Sequence, residues 1–89
     1  MNPMTDEEKD MLVRALPSGQ IYKLYADQIG YFVRSGTFDY IDDRDPRLQE
    51  RGVEMLDALM QRGSVRHEAK QLYKLTSSGF EQATTYASS

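Results

Sequence analysis

The chain has 89 residues, 39% of them hydrophobic and 28% charged, with a net charge of −3 and no cysteine. That length supports one domain with one modest core. The composition excludes disulfides, thiol catalysis and cysteine-ligated metals, and no run of ~18 apolar residues marks a transmembrane helix.

The acidic start, Met1 to Glu8, lacks the apolar stretch of a secretory signal, so a cytoplasmic location is expected. Residues 1–4 read as a loose end. Thr5 and Glu8 have the spacing of a capping box, in which each side chain accepts from the other's backbone N–H. A first helix is expected from there to about Leu16, with Met11, Leu12, Ala15 and Leu16 inward, until Pro17-Ser18-Gly19 stops it. Gln20 to Ala26 and Ile29 to Arg34 are rich in β-branched and aromatic residues and predict a hairpin. Thr37 to Arg44 alternates poorly and reads as a loop tucked in by Phe38 and Tyr40.

Asp45-Pro46 predicts the start of a central helix, with Asp45 as cap and Pro46 in the first helical position. Leu48, Gly52, Met55, Leu56 and Leu59 follow at helical spacing, and Gly63 stands where a left-handed residue closes a helix. Ser64 to Leu75 predicts a second hairpin, with Val65 and His67 on one face and a tip at Glu68 to Gln71. Thr76 caps an expected last helix bearing Phe80, Ala83 and Ala87 along one side, and Tyr86 to Ser89 reads as a fraying tail. No internal repeat or low-complexity linker divides the chain, so residues 1–89 are expected to form a single domain.

Leu56-x-x-Leu59-x-x-x-Gly63-x-Val65, then Leu72-Tyr73-Lys74-Leu75-Thr76-x-x-Gly79-Phe80-x-x-Ala83, resembles the helix–wing–helix tail of small winged-helix proteins. Upstream, Gly19-Gln20-Ile21, Gly36 and Asp45-Pro46-Arg47 resemble the front of uncharacterised prokaryotic or phage winged-helix-like domains. The resemblance covers about residues 10–87. It implies an α+β, winged-helix-like fold in the order helix, β-hairpin, helix, wing hairpin, helix. The first hairpin then replaces a helix of the usual helix-turn-helix, which alters the unit that docks on DNA.

Charge bears on the partner. Residues 1–43 hold 4 basic and 8 acidic side chains, and residues 44–89 hold 7 and 6, giving −4 and +1. A domain that binds phosphates is usually basic on one face. Arg44, Arg47 and Arg51 on the central helix, with Arg66, Lys70 and Lys74 on the wing, are the residues a DNA-binding dimer would use. The simpler reading is a solvated face neutralised by pairs such as Arg47 with Glu50 and Arg51 with Glu54.

Asp42, Asp43 and Asp45 lack the alternate-position spacing of a calcium loop and read as a turn and a cap. His67 has no nucleophile to serve and reads as a half-exposed strand residue. Catalytic residues, metals and cofactors are therefore not expected. The first hairpin carries Tyr22, Tyr25, Tyr31 and Phe32, which strand alternation cannot bury on one face. Exposed tyrosine contributes contact area at low entropic cost. The expected function is a non-enzymatic, regulatory protein-binding module, with an inhibitor of a host defence system as one form. The expected partner is a protein or a second copy of the chain, with no membrane. A dimeric winged-helix DNA-binding regulator is the alternative.

Overall fold

The computed structural model describes residues 3–88. Met1, Asn2 and Ser89, each expected to lie in a loose end, fall outside them. The elements are α1 (Asp6–Arg14), β1 (Gln20–Ala26), β2 (Gly30–Ser35), β3 (Phe38–Asp39), α2 (Arg47–Gln61), β4 (Val65–Ala69), β5 (Leu72–Leu75) and α3 (Ser77–Ala87). All strand pairs are antiparallel, and one sheet runs β3-β2-β1-β5-β4. Among the described residues the fold is α+β, with three helices and one five-stranded sheet.

The order departs from the expected one because a third strand intervenes before α2. Phe38 and Asp39 pair with Ser35 and Arg34, where a loop was expected. The sequence hides so short a strand because two residues cannot display alternation. The two hairpins also join one sheet, through pairing of β1 with β5.

Helix ends follow local chemistry. Glu8 N–H donates to the Thr5 hydroxyl at 3.1 Å, and Thr5 N–H donates to Glu8 Oε1 at 3.0 Å, closing the capping box. Helix α2 starts at Arg47, one residue later than expected, so Pro46 rather than Asp45 is the N-cap and no cap side chain bonds to the helix. Asp45, one residue further out, accepts the Arg47 N–H at 3.1 Å as a turn residue does. At the other end, Gly63 and Ser64 donate to Met60 and Leu59 carbonyls at 3.0 Å each. These two bonds satisfy carbonyls that the helix leaves open. Thr76 caps α3 by accepting the Gly79 N–H at 3.1 Å.

Ile21, Val33, Ser35, Val65 and Leu75 share the buried face of the sheet. Met11, Leu12 and Ala15 of the first helical segment, Met55, Leu56 and Leu59 of α2, and Ala83 of α3 complete that core. The Ser35 hydroxyl donates to the Met11 carbonyl at 2.6 Å, so α1 is tied to β2 inside it. Met4 packs against the core, contrary to the expected loose end. In α3 the inward side is Gly79, Ala83 and Tyr86, while Phe80 and Ala87 are exposed, which corrects the expected stripe. The reason is a close approach: a Cβ on Gly79 would stand 2.0 Å from the Ser64 carbonyl oxygen. Backbone meets backbone there, so Gly79 rather than Phe80 faces in. Helix α3 also extends to Ala87, past the expected fraying point at Tyr86.

Candidate functional site

The β1–β2 hairpin sorts its aromatics by alternation. Tyr25 pairs with Tyr31, and Leu24 with Phe32. Successive side chains point to opposite faces, so Tyr25 and Tyr31 lie on the helix-side face and Tyr22, Leu24 and Phe32 on the other. The core ends at Val33, and beyond it only the start of α2 reaches the hairpin. Tyr25 and Tyr31 are consequently 58% and 56% exposed, and Ile29 in the turn is 46% exposed. The two tyrosine rings meet edge to face at 5.1 Å, an arrangement favoured by the ring quadrupole. The Lys23 ammonium sits 5.5 Å from the Tyr31 ring.

Helix α2 holds this tip in place. Strand β3 is too short to cover the edge of β2, which leaves edge carbonyls open. The Gln49 amide donates to the Ile29 and Tyr31 carbonyls at 2.6 and 2.8 Å. Beside it, Tyr31, Gln49, Glu50, Val53 and Glu54 line a shallow groove. Its apolar floor and two carboxylates suit an apolar side chain flanked by cations.

Tyr22 and Phe32 occupy the opposite, open face. There Tyr22 pairs across β5 with Leu72, and Leu24 pairs with Phe32, so these four side chains form one stripe over three strands. All four are half-buried, and none belongs to the core cluster. The Tyr22 hydroxyl donates to Gln20 Oε1 at 2.7 Å.

Four of the six expected basic residues are held by carboxylates, and Arg66 and Lys74 face each other across β4 and β5. Arg44, Arg47 and Arg66 pair with Asp42, Asp45 and Glu68 at 3.5, 3.6 and 3.1 Å. Arg51 pairs with Glu7 of α1, which raises the Arg51 pKa through a hydrogen bond and charge. Lys70 lies in the β4–β5 turn, and Lys74 stands opposite Arg66 on the open face. The exposed surface of α2 also carries Glu50, Glu54 and Asp57. The expected partners Glu50 for Arg47 and Glu54 for Arg51 are thus replaced by Asp45 and Glu7.

His67 is exposed, stacks on Tyr73 at 4.7 Å and shares a 2.7 Å hydrogen bond with the Lys70 carbonyl. It holds the hairpin turn. Asp42 accepts the Arg44 N–H at 2.9 Å, as a turn residue does. Among the described residues no group of three His, Asp or Glu side chains is placed to hold a metal ion. Among the described residues no helix is long and apolar enough to cross a membrane.

Sequence reasoning missed Ile29, Gln49 and Val53 as parts of the tip surface. Ile29 was expected inside a strand, but the strand begins at Gly30. Gln49 gave no signal, because an amide on a helix surface is ordinary until the strand edge beside it is known. Comparison of the chain with protein-family models, curated proteins and solved structures finds no match.

Proposed function

We propose that the chain is a winged-helix-like, non-enzymatic binding module that engages a protein partner through the β1–β2 tip. The observation that carries this reading is the clustering of Tyr25, Ile29 and Tyr31, three of the four exposed large hydrophobics among the described residues. Clustered exposed aromatics mark contact surfaces, whereas scattered ones do not. The pinning of the tip by Gln49 adds to the argument, since a pre-ordered surface loses less entropy on binding. The partner chemistry follows from Glu50 and Glu54 in the adjoining groove: an apolar side chain set between basic residues. The winged-helix-like reading rests on the sequence resemblance and on the hairpin that stands between α1 and α2.

The DNA-reading alternative has less support. An α-helix placed in the major groove needs free cations, and Arg47 and Arg51 of α2 are engaged by carboxylates.

The test compares wild type with Tyr25→Ser/Tyr31→Ser as bait in nuclease-treated bacterial lysate. A protein retained by wild type, lost in the double variant and released by salt supports the reading. Retention that ignores the substitutions, or vanishes with nuclease, overturns it. A circular dichroism melt of the double variant separates lost binding from lost fold.

A further inference from the structure

The tip carries charges of both signs around one exposed ring. Lys23 lies opposite Val33 and Tyr25 opposite Tyr31, so Lys23, Tyr25 and Tyr31 share the helix-side face of the hairpin. The Lys23 ammonium sits 5.5 Å from the Tyr31 ring. The same tyrosine lines the groove with Glu50, Val53 and Glu54, and Lys23 is not among the lining residues. Glu50 and Glu54 are exposed and stand one helical turn apart. Among the described residues Lys23, Glu50 and Glu54 belong to no ion pair.

The placement of these charges follows from the topology. Strand β2 is flanked on one side by β1, which bears Lys23. On its other edge the start of α2 reaches it, through the Gln49 bonds to the Ile29 and Tyr31 carbonyls. Tyr31 therefore has a cation on one side and two carboxylates on the other. Such a surface is complementary to itself. A two-fold rotation about an axis near Tyr31 carries Lys23 of one copy to the Glu50 and Glu54 side of the other, and the reverse contact forms by symmetry. The same rotation brings the exposed Tyr25 and Tyr31 rings of the two copies together, the kind of anchor that dominates contact energies. Each copy carries −3 overall, so copies repel at long range, and the paired charges fix the one orientation in which they attract. A patch of this size is smaller than the roughly 800 Å² per partner of a standard interface, so the association is weak and concentration-dependent.

We propose that the partner met by the tip is a second copy of this chain, in a two-fold dimer that sets Lys23 against the partner's Glu50 and Glu54. The proposal rests on the reading of the tip as a contact surface and names what it contacts.

Sedimentation equilibrium of the full chain, at concentrations up to about 1 mM, tests it. The expected result is a reversible monomer–dimer equilibrium that Tyr31→Ser weakens at least about tenfold. Lys23→Glu and Glu50→Lys/Glu54→Lys each set like charges against each other and should each weaken it by at least about tenfold. An equimolar mixture of those two variants should associate again, because both symmetry-related contacts then join opposite charges. Misfolded variants would show no such rescue. A chain that stays monomeric, a dimer indifferent to the charge reversals, or a mixture that fails to associate overturns the proposal. So does a dimer abolished by Tyr22→Ser/Phe32→Ser and not by Tyr31→Ser, which places the contact on the open face. The two readings fail separately. A monomeric chain that retains a lysate protein through Tyr25 and Tyr31 overturns the dimer alone, whereas a monomeric chain that retains none removes the contact surface as well.

Discussion

Gly52 in the middle of α2 lies against Tyr40: a Cβ at residue 52 would stand 2.8 Å from Tyr40 Cβ and 3.3 Å from its Cγ. Glycine inside a helix costs about 1 kcal/mol relative to alanine, so the position is retained for packing. Gly52→Ala should destabilise the fold by about 1–3 kcal/mol despite the better helix former, because overpacking displaces a side chain near its backbone. Urea unfolding followed by circular dichroism measures this. A variant more stable than wild type would show that α2 can shift away from Tyr40 at little cost.

Tyr40 itself carries a buried hydroxyl with no hydrogen-bond partner of acceptable geometry. Burial pushes its pKa up to about 12, outweighing the downward pull of Arg14. The native state therefore favours the neutral phenol, and its contribution is fully present below pH 10. It is lost as pH rises from there through about 12. Tyr40→Phe removes both the orphan hydroxyl and the titration. At pH 7 it should be neutral or stabilising by about 1 kcal/mol. Its advantage over wild type should grow by about 2–3 kcal/mol at the alkaline end. Parallel urea midpoints from pH 7 to 12 test this, and a constant gap would rule out the burial effect.

The same two residues mark how far the sequence could be read. Gly52 fell on the apolar stripe of the central helix, and its burial followed from periodicity. Its contact with Tyr40 did not, because Tyr40 lay in a segment with no alternation. Thr5, Glu8, Gly63 and Thr76 act on neighbours within a few residues, so their roles were legible. The hairpin aromatics were legible as a surplus that one face could not bury. Which pair lay at the exposed tip depended on where the helix layer stops, a property of tertiary packing. The contacts of β3 gave no signal: Arg14 meets Phe38 and Arg34 meets Asp39 only because β3 folds back beside β2.

Glu8 joins the first helix to the second. Its Oε1 accepts the Thr5 N–H, and its Oε2 accepts from Arg62 Nε at 3.3 Å. Burial pushes the carboxyl pKa up, but the bonds from Thr5 and then the charge of Arg62 prevail, and the net shift is downward. The charged form is thus favoured in the native state, so its stabilisation is present above the ordinary value of 4.5 and lost as pH falls through the lowered one. Glu8→Gln preserves the capping geometry but ends the pairing with Arg62. It should lower stability by about 1–2 kcal/mol at pH 7, with a smaller difference from wild type at pH 3. Thermal melts at both pH values measure this; an equal difference at each would mean the charge contributes nothing.

Gln49 offers a way to separate the order of the tip from the stability of the fold. Its two bonds reach Ile29 and Tyr31, beyond the last core residue of β2. Regions with few buried contacts open locally without global unfolding. Gln49→Ala removes both bonds while placing a strong helix former in the first turn of α2. The melting temperature should change little. Amide exchange in the Tyr25–Tyr31 pair should accelerate about tenfold, the loss of about 1–1.5 kcal/mol of local protection. Exchange at Leu56 and Leu59 should stay as in wild type. If the ordered tip is what a protein partner meets, the same variant should also bind that partner more weakly, because ordering the tip is then left to the binding step. Unchanged exchange at Tyr25 and Tyr31 would mean that the β1–β2 pairing alone holds the tip, and Gln49 only covers an edge.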